Sequence, residues 1–212
     1  MSLYAVYRSL AAGFGHGSAP PLRLTTMAEL VVAGSYLAWC LDGRCYQVRA
    51  GTITTPLTGD VEITDTAAEM AADAAAGTTI IPIYLNITVE SLNGGTLPNA
   101  AAKSVATVSS AGAAFTPLPL KSNGSVASST ARVAGAGGVT VTAELATTTL
   151  RHFEKQIATA ALEPLAAHHF LVPPILVGPR SFYVQIAGVT AGPTYFAHFD
   201  FAEMPTLMVD PS

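Results

Sequence analysis

Charge is what this chain has least of: 11% of its residues are Asp, Glu, Lys or Arg, against 50% that are hydrophobic. A soluble domain ordinarily has about a quarter of its residues charged. Between Asp73 and Arg132 only Glu90, Lys103 and Lys121 interrupt a run of Ala, Thr, Ser, Gly, Val and Ile. Much of the surface must then consist of small neutral side chains, which suit contact with other protein. The few basic residues are scattered and the net charge is -4. Phosphate recognition needs clustered Lys and Arg, so no nucleic-acid partner is expected.

Long apolar runs are missing too. Gly, Pro, Thr or a charge breaks every one well before the roughly 20 residues that cross a bilayer, so no membrane span is expected. The opening residues, MSLYAVYRSLAAGFGHG, carry Arg8 inside their apolar stretch and lack a basic start. They do not read as a secretory signal. Cysteine is nearly absent, with Cys40 and Cys45 the two examples. No Cys or His ligands accompany them in sequence, so neither zinc nor any other cofactor is expected.

What is present is strand chemistry. Ile81, Ile83, Leu85, Ile87 and Val89 alternate with Pro82, Tyr84, Asn86, Thr88 and Glu90, the period of a half-buried strand. Pro82 cannot donate a ladder hydrogen bond and is expected at the strand's beginning or on an edge. Phe182, Val184 and Ile186 alternate in the same way, as do Tyr195, Ala197, Phe199 and Phe201. Turn chemistry from Gly188 to Pro193 predicts that these last two strands pair as an antiparallel hairpin. Ser104 to Ser109, Ser125 to Val133, Val139 to Ala146 and Thr148 to Ala158 add further strands rich in Thr and Val.

Two local signals complete the expectation. Asp42-Gly43 between Ser35–Cys40 and Cys45–Arg49 reads as a two-residue hairpin turn. It would set Cys40 opposite Cys45 at a non-hydrogen-bonded pair, as a disulfide or as two reduced thiols. Thr66 to Ala76, TAAEMAADAAA, has capping-box spacing between Thr66 and Glu69 and a stop at Gly77, and predicts a short helix with Glu69 and Asp73 on one face. The fold class is therefore all-β: an antiparallel sandwich or jelly roll with one short helix. Residues 1 to 35 form an N-terminal arm and residues 36 to 212 the domain. Ile83, Leu85, Ile87, Phe182, Val184, Phe199 and Phe201 are expected in the core or in an intersubunit seam.

No catalytic motif accompanies these elements. Gly13-Phe14-Gly15-His16-Gly17 lacks the Lys-Ser/Thr of a phosphate loop and reads as a linker. His168 and His169, adjacent in an extended segment, point to opposite faces and cannot share a metal easily. His198 with Asp200 and His152 with Glu154 share strand faces, but without a nucleophile motif they read as polar outer surface. The sequons at Asn86 and Asn123 are expected by chance in a Thr- and Ser-rich chain. The chain is thus expected not to be an enzyme.

The stretch PPILVGPRSFYVQIAGVTAGPTYFAHFDFAEMP, residues 173 to 205, resembles the closing hairpin of jelly-roll virion proteins from tailed phages. The residues that carry the resemblance are the lead-in from Pro174 to Pro179, Gly192-Pro193-Thr194-Tyr195-Phe196, and Phe201-Ala202-Glu203-Met204-Pro205. It implies a capsid-decorating or cement protein, a trimer of β-sandwiches assembled in the host cytoplasm and seated on the capsid surface. Its arms would reach the major capsid protein or other virion subunits. The rival expectation is a receptor- or carbohydrate-binding module of a phage tail or fibre, with Trp39, Tyr46, Tyr84, Tyr183 and Tyr195 as candidate platform aromatics.

Overall fold

The computed structural model describes residues 35–64, 66–95, 97–134, 138–142, 149–154 and 162–209. Residues 1–34, which hold most of the expected arm and the glycine-rich Gly13–Gly17 stretch, lie outside it.

A short helix, α1 (Ser35–Leu41), leads into β1 (Cys45–Ala50). The other principal strands are β4 (Met70–Ala74), β5 (Thr78–Ser91), β6 (Asn99–Val105), β12 (Thr149–Glu154), β13 (Glu163–His169), β15 (Arg180–Ala187) and β16 (Thr194–Pro205). Shorter strands lie between them: β2 (Leu57–Thr58), β3 (Ala67–Ala68), β7 (Ser110–Ala111), β8 (Ala113–Phe115), β9 (Leu118–Pro119), β10 (Thr130–Val133), β11 (Val139–Thr140) and β14 (Leu176–Val177). A final helix, α2 (Thr206–Val209), ends the described chain.

The first sheet has the order β13-β5-β16-β1-β9 and the second β12-β6-β15-β4-β10-β8, all pairs antiparallel. Through β1, β4, β5, β6, β12, β13, β15 and β16 the chain changes sheet at every step but one, from β6 to β12. Two four-stranded sheets wound in this way form a jelly roll. The segment from Ala106 to Thr148 is an insertion in that scheme. Its β9 pairs with β1 and its β10 with β4, so it covers one edge of each sheet.

The core lies between the sheets because the period-two strands send alternate side chains inward. Leu85, Ile87, Phe182, Val184, Phe199 and Phe201 are all buried there. Phe182 of β15 meets Phe199 of β16 edge-on at 5.1 Å between ring centroids, and Phe170 meets Phe182 at 6.0 Å, which ties the sheets together. Aromatic pairs of this geometry add about 0.5–1.5 kcal/mol each beyond the area they bury. Ile83 is buried elsewhere, on the outer side of the first sheet beneath α1, with Cys45, Ile81 and Ala202.

Three sequence expectations are corrected. Asp42-Gly43 is the end of a helix: Arg44 N donates to Trp39 O at 2.9 Å and Gly43 N to Cys40 O at 3.0 Å, with Gly43 at φ 76. That pair of bonds is a Schellman cap, which needs the same left-handed glycine as a hairpin turn. The Ala-rich stretch from Thr66 to Ala76 forms β3 and β4 instead of a helix. β4 is enclosed by β15 and β10, and all five of its residues are buried. Alanine's small side chain fits a strand covered on both faces, and tertiary packing overrides its helix propensity.

β15 and β16 are the third correction: they belong to different sheets and do not pair. The turn between them crosses the end of the sandwich, as the winding demands. Pro82 lies inside β5, where the register with β16 shifts between Asp200 and Phe201. On its other side β5 passes from β14 to β13, so the missing N–H falls between two partners. Of the strand expected from Ser104 to Ser109 only Ser104 and Val105 are in a strand, the end of β6, which begins earlier at Asn99, and the one expected from Ser125 to Val133 shortens to β10. Residues 143–146 and 155–158 of the other two expected strands lie outside the described residues.

Candidate functional site

Three places in the fold gather side chains that could act, and each is set by strand register. The first is the outer face of the first sheet. Gln47 of β1, Asp200 of β16, Tyr84 of β5 and His169 of β13 form one row across four strands. Arg49, His198 and Asn86 form the row beside it. Tyr84 lies 4.4 Å from His169 and 5.7 Å from His198 between ring centroids. Gln47 Nε2 donates to Asp200 Oδ1 at 2.9 Å and Asn86 Nδ2 to Tyr84 Oη at 3.2 Å.

Burial pushes the Asp200 carboxyl up, while the Gln47 hydrogen bond and the nearby His198 and His169 pull it back. His168 turns the other way, towards Phe170 and Phe153. The adjacent histidines therefore face opposite sides of the sheet, as their sequence spacing requires. The side chains of His152 and Glu154 lie outside the described residues.

The second place is acidic and buried. Glu69, between β3 and β4, is 4% exposed, and its carboxylate accepts a hydrogen bond from Ile186 N at 2.7 Å. Burial drives its pKa up to about 8 against the pull of that amide, and Asp60 nearby adds to the rise. Asp60 is fixed by backbone bonds to β15 and the turn after it: its N–H donates to Ile186 O and its carbonyl accepts from Gly188 N, each 3.0 Å. The Tyr195 hydroxyl is pushed well up by burial, then by Glu69 and Asp60, and has no partner among the described residues. Asp60, Glu62, Glu69 and Gln185 line a shallow pocket with no room for a water molecule. Gln185 Nε2 spans it to Thr64 O and Ala67 O.

Asp73, which the sequence placed on one helix face with Glu69, is also buried. It accepts from Ser109 N at 2.9 Å, Ser109 Oγ at 2.7 Å and Ser181 Oγ. It serves as a structural anchor joining β4, β15 and the inserted segment.

The third place is the thiol pair. The helix cap brings Cys40 beside Cys45, and both are free thiols. Burial, and next the hydrogen bond with Cys40, pushes the Cys45 thiol far up, so it carries little of the thiolate needed for attack. Among the described residues no three His, Cys, Asp or Glu side chains converge as metal ligands. No helix among them is long and apolar enough to cross a membrane.

Tyr183 and Tyr195, two of the expected platform aromatics, are fully buried and present no platform. Tyr84 remains half-exposed on the outer face. The exposed apolar side chains were the feature that sequence reading could not place. They fall mainly on connections: Ile53 and Val61 before β3, Leu162 before β13, Val189 after β15, and Leu171, Val172 and Ile175 before β14. Neither a protein-family model nor a curated protein sequence matches the chain.

Proposed function

We propose that this protein is a non-enzymatic structural component of a virion, a homo-oligomer, in the first instance a trimer, that decorates or cements a capsid by bridging its shell subunits. One observation carries the reading. Ile53, Val61, Leu162 and Val189 stand exposed on connections at the end of the sandwich where β1 and β15 finish and β13 begins, in a chain with few charges to keep it apart. At that end the turn after β15 packs so closely on the β1–β3 connection that a Cβ at Gly192 would meet Gly59 O at 1.8 Å. Val61 and Val189, which flank this contact, thus sit on a closely packed rim suited to a self-complementary contact. Jelly rolls also recur in viral capsid and lectin domains, which makes the fold compatible with the role without assigning it.

Light scattering across a dilution series is expected to give a stable trimer for the full chain, and a lower mass for the Val61→Lys, Val189→Lys double variant. A monomer at every concentration would overturn the proposal.

A second reading, a glycan-binding module, is favoured by the outer-face cluster, where an aromatic ring sits among imidazole, amide and carboxylate groups. It predicts that Tyr84→Ala abolishes retention on immobilised glycans while leaving the mass unchanged. Equal retention of both proteins, or of neither, would remove it.

A further inference from the structure

We propose that the apolar surface around α1 is the seat of the protein's own N-terminal segment, residues 22–33. Six aliphatic side chains stand exposed on elements that adjoin the first half of β5: Leu37 of α1, Leu171, Val172 and Ile175, Val177 of β14, and Leu207 of α2. Leu171, Val172 and Leu207 are 88%, 80% and 78% exposed. A soluble domain rarely leaves such a group uncovered.

Strand register brings these residues together. Thr79 of β5 lies between Val177 of β14 and Met204 of β16. Its hydroxyl is 3.2 Å from that of Thr206, the residue before Leu207. Met204 in turn packs with Tyr36 and Trp39 of α1 over Ile81 and Ile83. The exposed aliphatic side chains therefore stand on elements that border the small cluster beneath α1.

The described chain also begins here. Tyr36 Oη donates to Phe170 O at 2.8 Å, so the residue after Ser35 is pinned beside Leu171. The first described residues thus stand at the rim of the uncovered surface. The sequence there is chemically matched: Leu22, Leu24, Met27, Leu30, Val31 and Val32 fall within twelve residues, bounded on the outer side by Pro20-Pro21. Twelve residues cover about 18 Å as a helix or about 40 Å extended, and either length crosses the end of a sandwich. The occupant at hand is thus the same chain, with no second copy required.

Limited trypsin digestion of the full chain, followed by mass spectrometry, tests this directly. Arg8 and Arg23 both precede the described domain, but only Arg23 lies in the seated segment. Cleavage after Arg23 is expected to be at least about tenfold slower than after Arg8, because proteolysis of a docked segment tracks its open fraction. The Leu171→Asp, Val172→Asp double variant should bring the two rates together while its melting temperature stays near that of the wild type, both side chains being exposed in the domain. Leu207→Asp, next to the Thr206–Thr79 contact, should act in the same direction. Equal cleavage at Arg8 and Arg23 in the wild type, or protection that neither variant relieves, overturns the proposal. Protection of Arg23 that disappears on dilution also overturns it, by assigning the seat to a neighbouring copy. These readouts differ from the dilution mass that tests the trimer, so each idea can fail alone.

Discussion

Glu69→Gln is expected to stabilise the protein at alkaline pH and to remove much of its loss of stability between pH 5 and 8. In the folded chain burial holds this carboxyl up at about 8, against an ordinary value of 4.5. Its stabilising contribution is complete below pH 4.5, where both states are protonated. It declines as pH rises and is gone above about 8, where the folded state must bury a charge. The gap between the two values corresponds to a loss on the order of 5 kcal/mol. Glutamine keeps an oxygen for Ile186 N and never ionises. Thermal melts from pH 4 to 9 should show the variant melting roughly 10 °C above the wild type at pH 9, with the two curves converging at pH 4. Parallel curves would mean that Glu69 is not held protonated.

Asp73→Ala carries the second large expectation, with the opposite sign. Removing this carboxylate leaves Ser109 N, Ser109 Oγ and Ser181 Oγ without their acceptor inside the fold. The loss should be about 3–5 kcal/mol, read as a lower urea midpoint. Asp73→Asn, which retains one acceptor oxygen, should fall between the two. A change under about 1 kcal/mol for the alanine variant would show that water replaces the carboxylate without cost.

Both residues were misplaced by sequence reading for one physical reason. TAAEMAADAAA has the local marks of a capped helix, and its true setting depends on β15, more than a hundred residues later, closing over it. β5, β15 and β16 were legible because alternation within one strand is a local property, and the core residues Leu85, Ile87, Phe182, Val184, Phe199 and Phe201 followed from it. Their sheet partners were not legible. A Gly- and Pro-bearing turn between two alternating strands looks the same whether it joins neighbours or crosses a sandwich. Asp42-Gly43 misled similarly, since a left-handed glycine serves a hairpin and a helix cap equally. Of the outer-face cluster, the His198–Asp200 pairing was visible in strand period, whereas Tyr84 and His169 joined them only through register across four strands.

The inserted segment from Ala106 to Thr148 has an effect on how copies could add to one another. By laying β9 along β1 and β10 and β8 along β4, it ends each sheet on that flank in a strand of two or three residues. Among the described residues, a newcomer's backbone finds no long row of free N–H and C=O groups there. The longer terminal strands, β12 and β13, lie together on the opposite flank. Backbone-to-backbone growth is thus polar: two copies joined through β12 or β13 would each present a blunted flank outward, which stops at a pair the open-ended stacking that exposed sheets otherwise invite.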